Sequence, residues 1–243
     1  MKKQTIFDKI TIGGKMQNLS RLELITSKEK IEKIKKKNIL LIGLGGVGGY
    51  TFETLVRSGI SNITVVDGDT FEESNLNRQV LSLISTIGKN KTDVAESRAR
   101  EINPDISVKK ITKILTKENI NEINFSEYDY VVDACDTMDV KKELIKITSL
   151  NNIKFISCMG TGNKFHPELL ELTTLDKTEY DPIAKILRKY VKEERINKKI
   201  KVVSSKEKPV DNKSMIIGSN AFVPATAGIL ITSYIINDIV GEV

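Results

Sequence analysis

The most restrictive feature of this chain is an aliphatic run that breaks abruptly into glycine. Residues 38–42 read NILLI and residues 43–49 read GLGGVGG. Four consecutive aliphatic residues predict a buried strand, and the glycines predict a tight turn out of it. Gly43, Gly45 and Gly48 match the spacing G-x-G-x-x-G, with Gly46 as a further position lacking a side chain. Residues 50–58 then carry Phe52, Leu55 and Val56 at helical spacing, and Gly59 stands where a left-handed helix C-cap is expected. A second strand, ITVVD, ends at Asp67. Strand, glycine turn, helix and strand in this order call for a parallel pair, because the helix must carry the chain back alongside. The glycines let the main chain approach a phosphate at the helix N-terminus. An acidic residue about 20 positions on can hold ribose hydroxyls, and Asp67 is so placed.

The same rhythm continues. Residues 92–102 predict a helix stopped by Asn103-Pro104, and 106–111 a strand. A helix is expected around 116–123, a fourth strand in YDYVVDACD ending near 133–136, a helix over 140–150 and a fifth strand over 153–160. The expected fold is α/β: a doubly wound, mostly parallel, Rossmann-like sheet. Beyond residue 161 two strands (169–175 and 200–205) flank a charged helix over 182–194, then a polar loop (206–214) leads to an apolar helix (221–240). This predicts a C-terminal antiparallel elaboration. The economical reading is one domain: an N-terminal helical segment (1–37), a nucleotide-binding core (38–160) and the elaboration with its closing helix (161–243). Within the first segment, residues 28–37 form a basic run with Ile31 and Ile34 on one helical face.

Composition narrows the class. The 243 residues carry a formal charge of +6, which is compatible with a polyanionic partner such as RNA. Two cysteines, Cys135 and Cys158, cannot make a disulfide framework or a four-thiolate zinc site, so a reducing, cytoplasmic setting is expected. Residues 1–16 are polar and interrupted by Gly13-Gly14, unlike a signal peptide. The apolar helix contains Pro224, Thr226, Thr232, Ser233, Asn237 and Asp238, so a core helix is expected and no membrane association. The densest cationic stretch comprises Arg188, Lys189, Lys192, Arg195, Lys198, Lys199 and Lys201, diluted by Glu193 and Glu194. It reads as an RNA-contacting face or a solvated helix.

The segment beyond Asp67 discriminates between nucleotides. A dehydrogenase holding a pyrophosphate diester needs little beyond the glycine turn and that carboxylate. Here DGDTFEESNLNRQ leads on to GKNK. A triphosphate attacked at its α-phosphorus needs fixed cations where charge develops and a carboxylate for magnesium. Arg78 and Lys91 supply the cations and Asp136 the carboxylate, while Asn75 and Gln79 brace the loop. In a doubly wound sheet the fourth strand lies beside the first, so Asp136 should face the glycine turn. The plainer readings are surface cations for Arg78 and Lys91 and a helix N-cap for Asp136. Asp133, deeper in the strand, is the weaker metal candidate. His166, the single histidine, precedes Pro167 in a loop, and both cysteines read as packed thiols.

At these residues the sequence resembles the ThiF/MoeB superfamily, the nucleotide-binding fold of ubiquitin-activating-type enzymes. The matching motifs are GLGGVGG (43–49), DGD…SNLNRQ (67–79), GKNK (88–91), INP (102–104) and VVDACD (131–136). The resemblance implies that Asp67 binds ribose, that Asn75, Arg78 and Lys91 contact the phosphates of ATP, and that Asp136 binds Mg2+. It further implies a homodimer in which Arg21, in RLELITSKE, reaches the partner subunit's nucleotide. Over nearly the whole chain the sequence is similar to the TcdA branch, the tRNA threonylcarbamoyladenosine dehydratases. The segments concerned are MGTGNKFHP (159–167), KTEYDPIAKILRK (177–189), VVSSKEKP (202–209) and GSNAFVPATAG (218–228). This implies adenylylation of a threonylcarbamoyl carboxylate on tRNA, cyclisation, and partner proteins of cysteine desulfurase type. Departures are the absence of paired CxxC motifs, Asp181 where some relatives have cysteine, and Ser27 where glycine is frequent. The alternatives are an adenylyltransferase acting on the C-terminus of a sulfur-carrier or ubiquitin-like protein, a non-catalytic nucleotide-binding partner and, more distantly, an NAD oxidoreductase.

Overall fold

Aliphatic runs without polar alternation suit strands covered on both faces, and they take the middle of the sheet. NILLI forms β1 (Asn38–Ile42), with its four aliphatic residues buried. NITVV forms β2 (Asn62–Val66) and YVVD forms β4 (Tyr130–Asp133), each with four buried residues. β3 (Ser107–Ile111) has none and lies at one edge, where Lys109 and Lys110 shield it from further pairing. β5 (Lys154–Cys158), β6 (Leu170–Thr174) and β7 (Lys201–Ser205) complete a seven-stranded sheet in the order β3-β2-β1-β4-β5-β7-β6. This computed structural model describes residues 18–211, 213–214 and 216–242. The stretch 1–16, whose sequence is unlike a signal peptide, lies outside the described residues.

The sheet is doubly wound. β1 pairs in parallel with both β2 and β4, so the chain reverses direction of travel across the sheet at this point. Seven α-helices among the described residues cover it: α1 (Ser20–Glu23), α2 (Lys28–Lys35), α3 (Gly46–Arg57), α4 (Lys91–Ile102), α5 (Met138–Leu150), α6 (Pro182–Glu193) and α7 (Phe222–Val240). Phe52, Leu55 and Val56 of α3, with Ala227 and Ile231 of α7, pack on Leu41, Val65 and Val132 of the sheet. On the other face Leu144 and Ile145 of α5, with Ala184 and Leu187 of α6, pack on Leu40, Ile42 and Val131. Thr51 and Thr54 of α3 bond to the Gly228 carbonyl and the Thr232 hydroxyl of α7, so the polar groups of the apolar helix are used in packing. That helix is long and apolar enough to cross a membrane, with a mean hydropathy of 1.4. Gly59 follows α3 with φ +97°, the left-handed conformation expected of it.

One expectation needs correction. The helix around 116–123 is absent; single 3-10 turns at Ile120–Glu122 and Phe125–Glu127 replace it. Asn119 accepts from the Thr116 N–H and donates to the Ile114 carbonyl, and Asn124 accepts from the Ser126 N–H. Such local side-chain bonds compete with a helical ladder. The C-terminal antiparallel elaboration is present as expected: β6 runs against β7, which in turn joins β5 in parallel.

Candidate active site

The C-terminal ends of β1, β2, β4 and β5 open into one crevice of about 540 Å3. The chain leaves β1 through Gly43, whose N–H donates to the Val66 carbonyl at 2.8 Å and whose φ is +92°. A Cβ there would meet the Ala134 carbonyl oxygen at 2.6 Å. At Gly48 a Cβ would meet the Gly43 oxygen at 1.9 Å, so the first turn of α3 closes only on glycine. Gly45 and Gly46 line the crevice where α3 begins, leaving its first N–H groups accessible to an anion. Gly48 is buried behind them and is not part of the lining.

Asp67 does two jobs. One carboxylate oxygen accepts from the Leu44 N–H at 2.7 Å and so braces the glycine turn; the other accepts from the Asp69 N–H at 2.9 Å. Lys91, buried at the start of α4, has its Nζ 3.0 Å from Asp69 and 3.9 Å from Asp67. The segment between them forms a reciprocal turn in which Asn75 Oδ1 accepts from the Glu72 N–H at 3.1 Å. That turn sets Arg78, whose guanidinium donates to the Ser74 carbonyl at 2.8 Å and to Asn77 Oδ1 at 2.9 Å. Both acceptors are uncharged, so Arg78 is oriented with its charge intact. Gln79 Oε1 is buried without a hydrogen-bond partner, a polar atom left open on the crevice side of the loop.

Across the crevice, Asp136 is exposed and forms no ion pair among the described residues. Thr137, not Asp136, is the N-cap of α5, so the capping alternative falls away. Asp133 is committed elsewhere. It is fully buried, accepting from Lys141 Nζ at 2.9 Å and from the Ser157 hydroxyl at 2.5 Å. The Cys135 N–H also donates to it, which ties down the turn that carries Asp136. Burial opposes the Lys141 charge, but the Asp133 carboxylate outweighs it and holds the amine above the ordinary lysine range. Cys135 and Cys158 both line the crevice. Burial, reinforced by Asp133, pushes both thiols up, Cys158 to about 12, so neither is a thiolate at neutral pH.

Sequence reasoning missed Lys141, and it singled out the loop after β5 and the strap-like segment before α7 by resemblance without assigning either to the crevice. The helical period offered one signal, since Lys141 sits one turn before Leu144 and Ile145 on the buried face of α5. Gly160 is clamped from both sides: its N–H donates to Asp181 at 2.9 Å and its carbonyl accepts from Lys164 Nζ at 2.7 Å. Asp181 also caps α6 through the Ala184 N–H. Asn163 exchanges two hydrogen bonds with Gly218, and Asn77 donates to the Ser219 carbonyl. The strap thereby lies over the crevice, with Ile217 and Ser219 on its lining. Two candidates lie elsewhere. Arg21, exposed in α1, does not line this crevice, nor does His166, which pairs with Glu168 at the surface.

The donor set suits a nucleoside triphosphate: a glycine turn at a helix start, two oriented cations and an unpaired carboxylate facing them. Comparisons with known proteins agree. Over residues 16–220 the chain matches the model of the ThiF family. It is 34% identical to the tRNA threonylcarbamoyladenosine dehydratase of Bacillus subtilis over 94% of this chain and 96% of that protein. To the enzyme of the same name from Haemophilus influenzae it is 32% identical, over 76% of this chain and 72% of the relative. The crystal structure of the Escherichia coli tRNA N6-threonylcarbamoyladenosine dehydratase in complex with ATP superposes with a TM-score of 0.86 at 28% identity. That superposition covers 92% of this chain and 94% of the other. The chain belongs to the ThiF family.

Proposed function

We propose that this protein is an ATP-dependent tRNA threonylcarbamoyladenosine dehydratase, which activates a carboxylate on a tRNA nucleoside and closes it into a ring. The observation that carries the reading is the crevice itself, where Arg78 and Lys91 stand across the glycine turn from the unpaired Asp136. A carboxylate is a poor electrophile at neutral pH. Its oxygen attacks the α-phosphorus of ATP, pyrophosphate leaves, and an acyl adenylate forms. A nucleophile within the same threonylcarbamoyl group then attacks the acyl carbon and AMP departs with the former carboxylate oxygen. The net change is loss of one water from the nucleoside. Holding both groups in one crevice makes the second step intramolecular.

Arg78 and Lys91 stabilise the charge that develops on the phosphoryl oxygens, and their existing partners hold them in place beforehand. The α3 N-terminus receives the phosphates and Asp67 the ribose. Asp136 would hold a magnesium ion, which would offset charge on the triphosphate. Gln79 Oε1, buried without a partner, is an acceptor waiting for a ligand donor. The chain acts as a homodimer in which Arg21, absent from its own crevice, serves the neighbour's. Mixing Arg21→Ala with Asp136→Asn protein restores activity if this is so; no recovery despite proven subunit exchange rules it out.

The test of the whole reading is single-turnover incubation of threonylcarbamoyl-tRNA with ATP, followed by mass spectrometry of the nucleosides. A product lighter by one water, formed with one AMP, is expected. Turnover only with a small protein ending in Gly-Gly would instead establish the sulfur-carrier alternative.

A further inference from the structure

The cationic stretch in and after α6 does not spread over a solvated helix. Arg188, Lys192, Arg195, Lys198 and Lys199 line a single groove of about 740 Å3. Asp176 is the one carboxylate on its lining among the described residues. Within those residues none of the five cations forms an ion pair; Glu193 is engaged by Lys189, and Glu194 lies off the lining. Two of the five are held by uncharged partners. Arg188 donates to the Thr178 carbonyl at 2.9 Å and to its hydroxyl, and Lys198 donates to the Ile153 carbonyl at 2.8 Å and the Thr148 carbonyl at 3.4 Å. Carbonyls orient a cation without cancelling its charge. Burial holds the Lys198 amine below the ordinary lysine range, so a neighbouring anion would stabilise its charged form.

The helix α6 connects this groove to the crevice. Ile183 in its first turn lines the crevice, and Lys192 in its last turn lines the groove. At 1.5 Å per residue the two lie about 14 Å apart along the helix. No aromatic side chain lines the groove among the described residues, so it offers no ring on which a base could stack. Several unpaired cations spread along one open channel match the repeated charge of a nucleic-acid strand better than a single small anion.

We propose that this groove docks the sugar–phosphate backbone of the RNA whose reactive nucleoside occupies the crevice, through charge and without reading sequence. The inference rests on the reading of the crevice as a tRNA-modifying site. It is tested with Lys192→Ala/Arg195→Ala/Lys199→Ala in the full chain, three exposed side chains whose loss leaves the core intact. Binding of threonylcarbamoyl-tRNA is measured across a salt series. Each lost phosphate contact removes roughly 0.7–0.9 from the slope of log affinity against log salt, so the slope should fall by about 2. Affinity at low salt should drop at least tenfold, with ATP affinity and kcat at saturating tRNA unchanged. Lys192→Arg/Lys199→Arg should bind like the parent. Neutralising Lys30, Lys33 and Lys35 of α2, which are already paired with Glu242, Glu29 and Glu32, should leave the slope within half a unit. An unchanged slope and affinity in the folded triple variant, with the parent chain binding normally, overturns the groove. So does a triple variant that loses binding to anionic vesicles but keeps its binding to tRNA. Failure of the parent chain to bind tRNA at all overturns the substrate reading instead.

Discussion

The crevice and the groove are both cationic, and they treat their lysines in opposite ways. In and around the crevice Lys91 faces Asp69, Lys141 faces Asp133 and Lys164 faces Asp181, with two of these pairs almost fully removed from water. In the groove five cations face one exposed carboxylate. Pairing costs net charge but fixes position, which chemistry at a phosphorus atom requires. Cations without a carboxylate partner keep their charge, and the exposed Lys192, Arg195 and Lys199 are free to meet a partner that must arrive, bind and leave. One chain thus uses the same residue types for preorganisation at one end of α6 and for attraction at the other.

The difference can be broken most severely at Lys141. Lys141→Met leaves the Asp133 carboxylate buried without its cation, at a cost of about 3–5 kcal/mol of stability. Urea unfolding at neutral pH measures it. A loss below ~1 kcal/mol would mean that Asp133 and its hydroxyl and amide donors do not need the lysine, and that pairing is not what orders the crevice. Arg78→Ala and Lys91→Ala come next. Each removes one preorganised donor, so single-turnover adenylylation should slow by about 10²–10³-fold, equivalent to about 3–4 kcal/mol of barrier, with ATP affinity changing far less. Salt dependence of tRNA binding should stay as in the parent, unlike in the groove variant. Near-parental rates would make these two residues surface cations.

The smallest effect is expected at the two crevice thiols. Because both are held as neutral thiols and cyclisation needs no enzyme nucleophile, Cys135→Ala/Cys158→Ala should keep most of its activity and lose only about 1 kcal/mol of stability per site. Adenylylation that continues while cyclisation stops, in variant protein still folded by circular dichroism, would reveal a covalent thiol step.

Much of this molecule was legible from local pattern. The aliphatic run into glycine could become little but β1, the turn and α3, because NILLI buries both faces and Gly43 and Gly48 occupy positions a Cβ would obstruct. The strand–helix alternation then implied the parallel order, and with it the gathering of Asp67, Arg78, Lys91 and Asp136 at one end of the sheet. Local pattern misled at 116–123, where asparagine side chains bonded to the main chain and the helical ladder lost.

Other features depend on residues far apart in the chain, and no window of sequence contains them. The parallel insertion of β7 beside β5 joins strands more than 40 residues apart. The clamp on Gly160 needs both Lys164 and Asp181, and the strap over the crevice needs Asn163 to meet Gly218. The contrast between paired and unpaired cations is of the same kind. A lysine reads as one positive charge wherever it stands, and its partner, or the lack of one, exists only after the chain has folded. Composition sets how many charges there are. Packing sets which of them remain open to another molecule, because a charge is cancelled by what lies within a few ångströms of it and not by what precedes it in the chain.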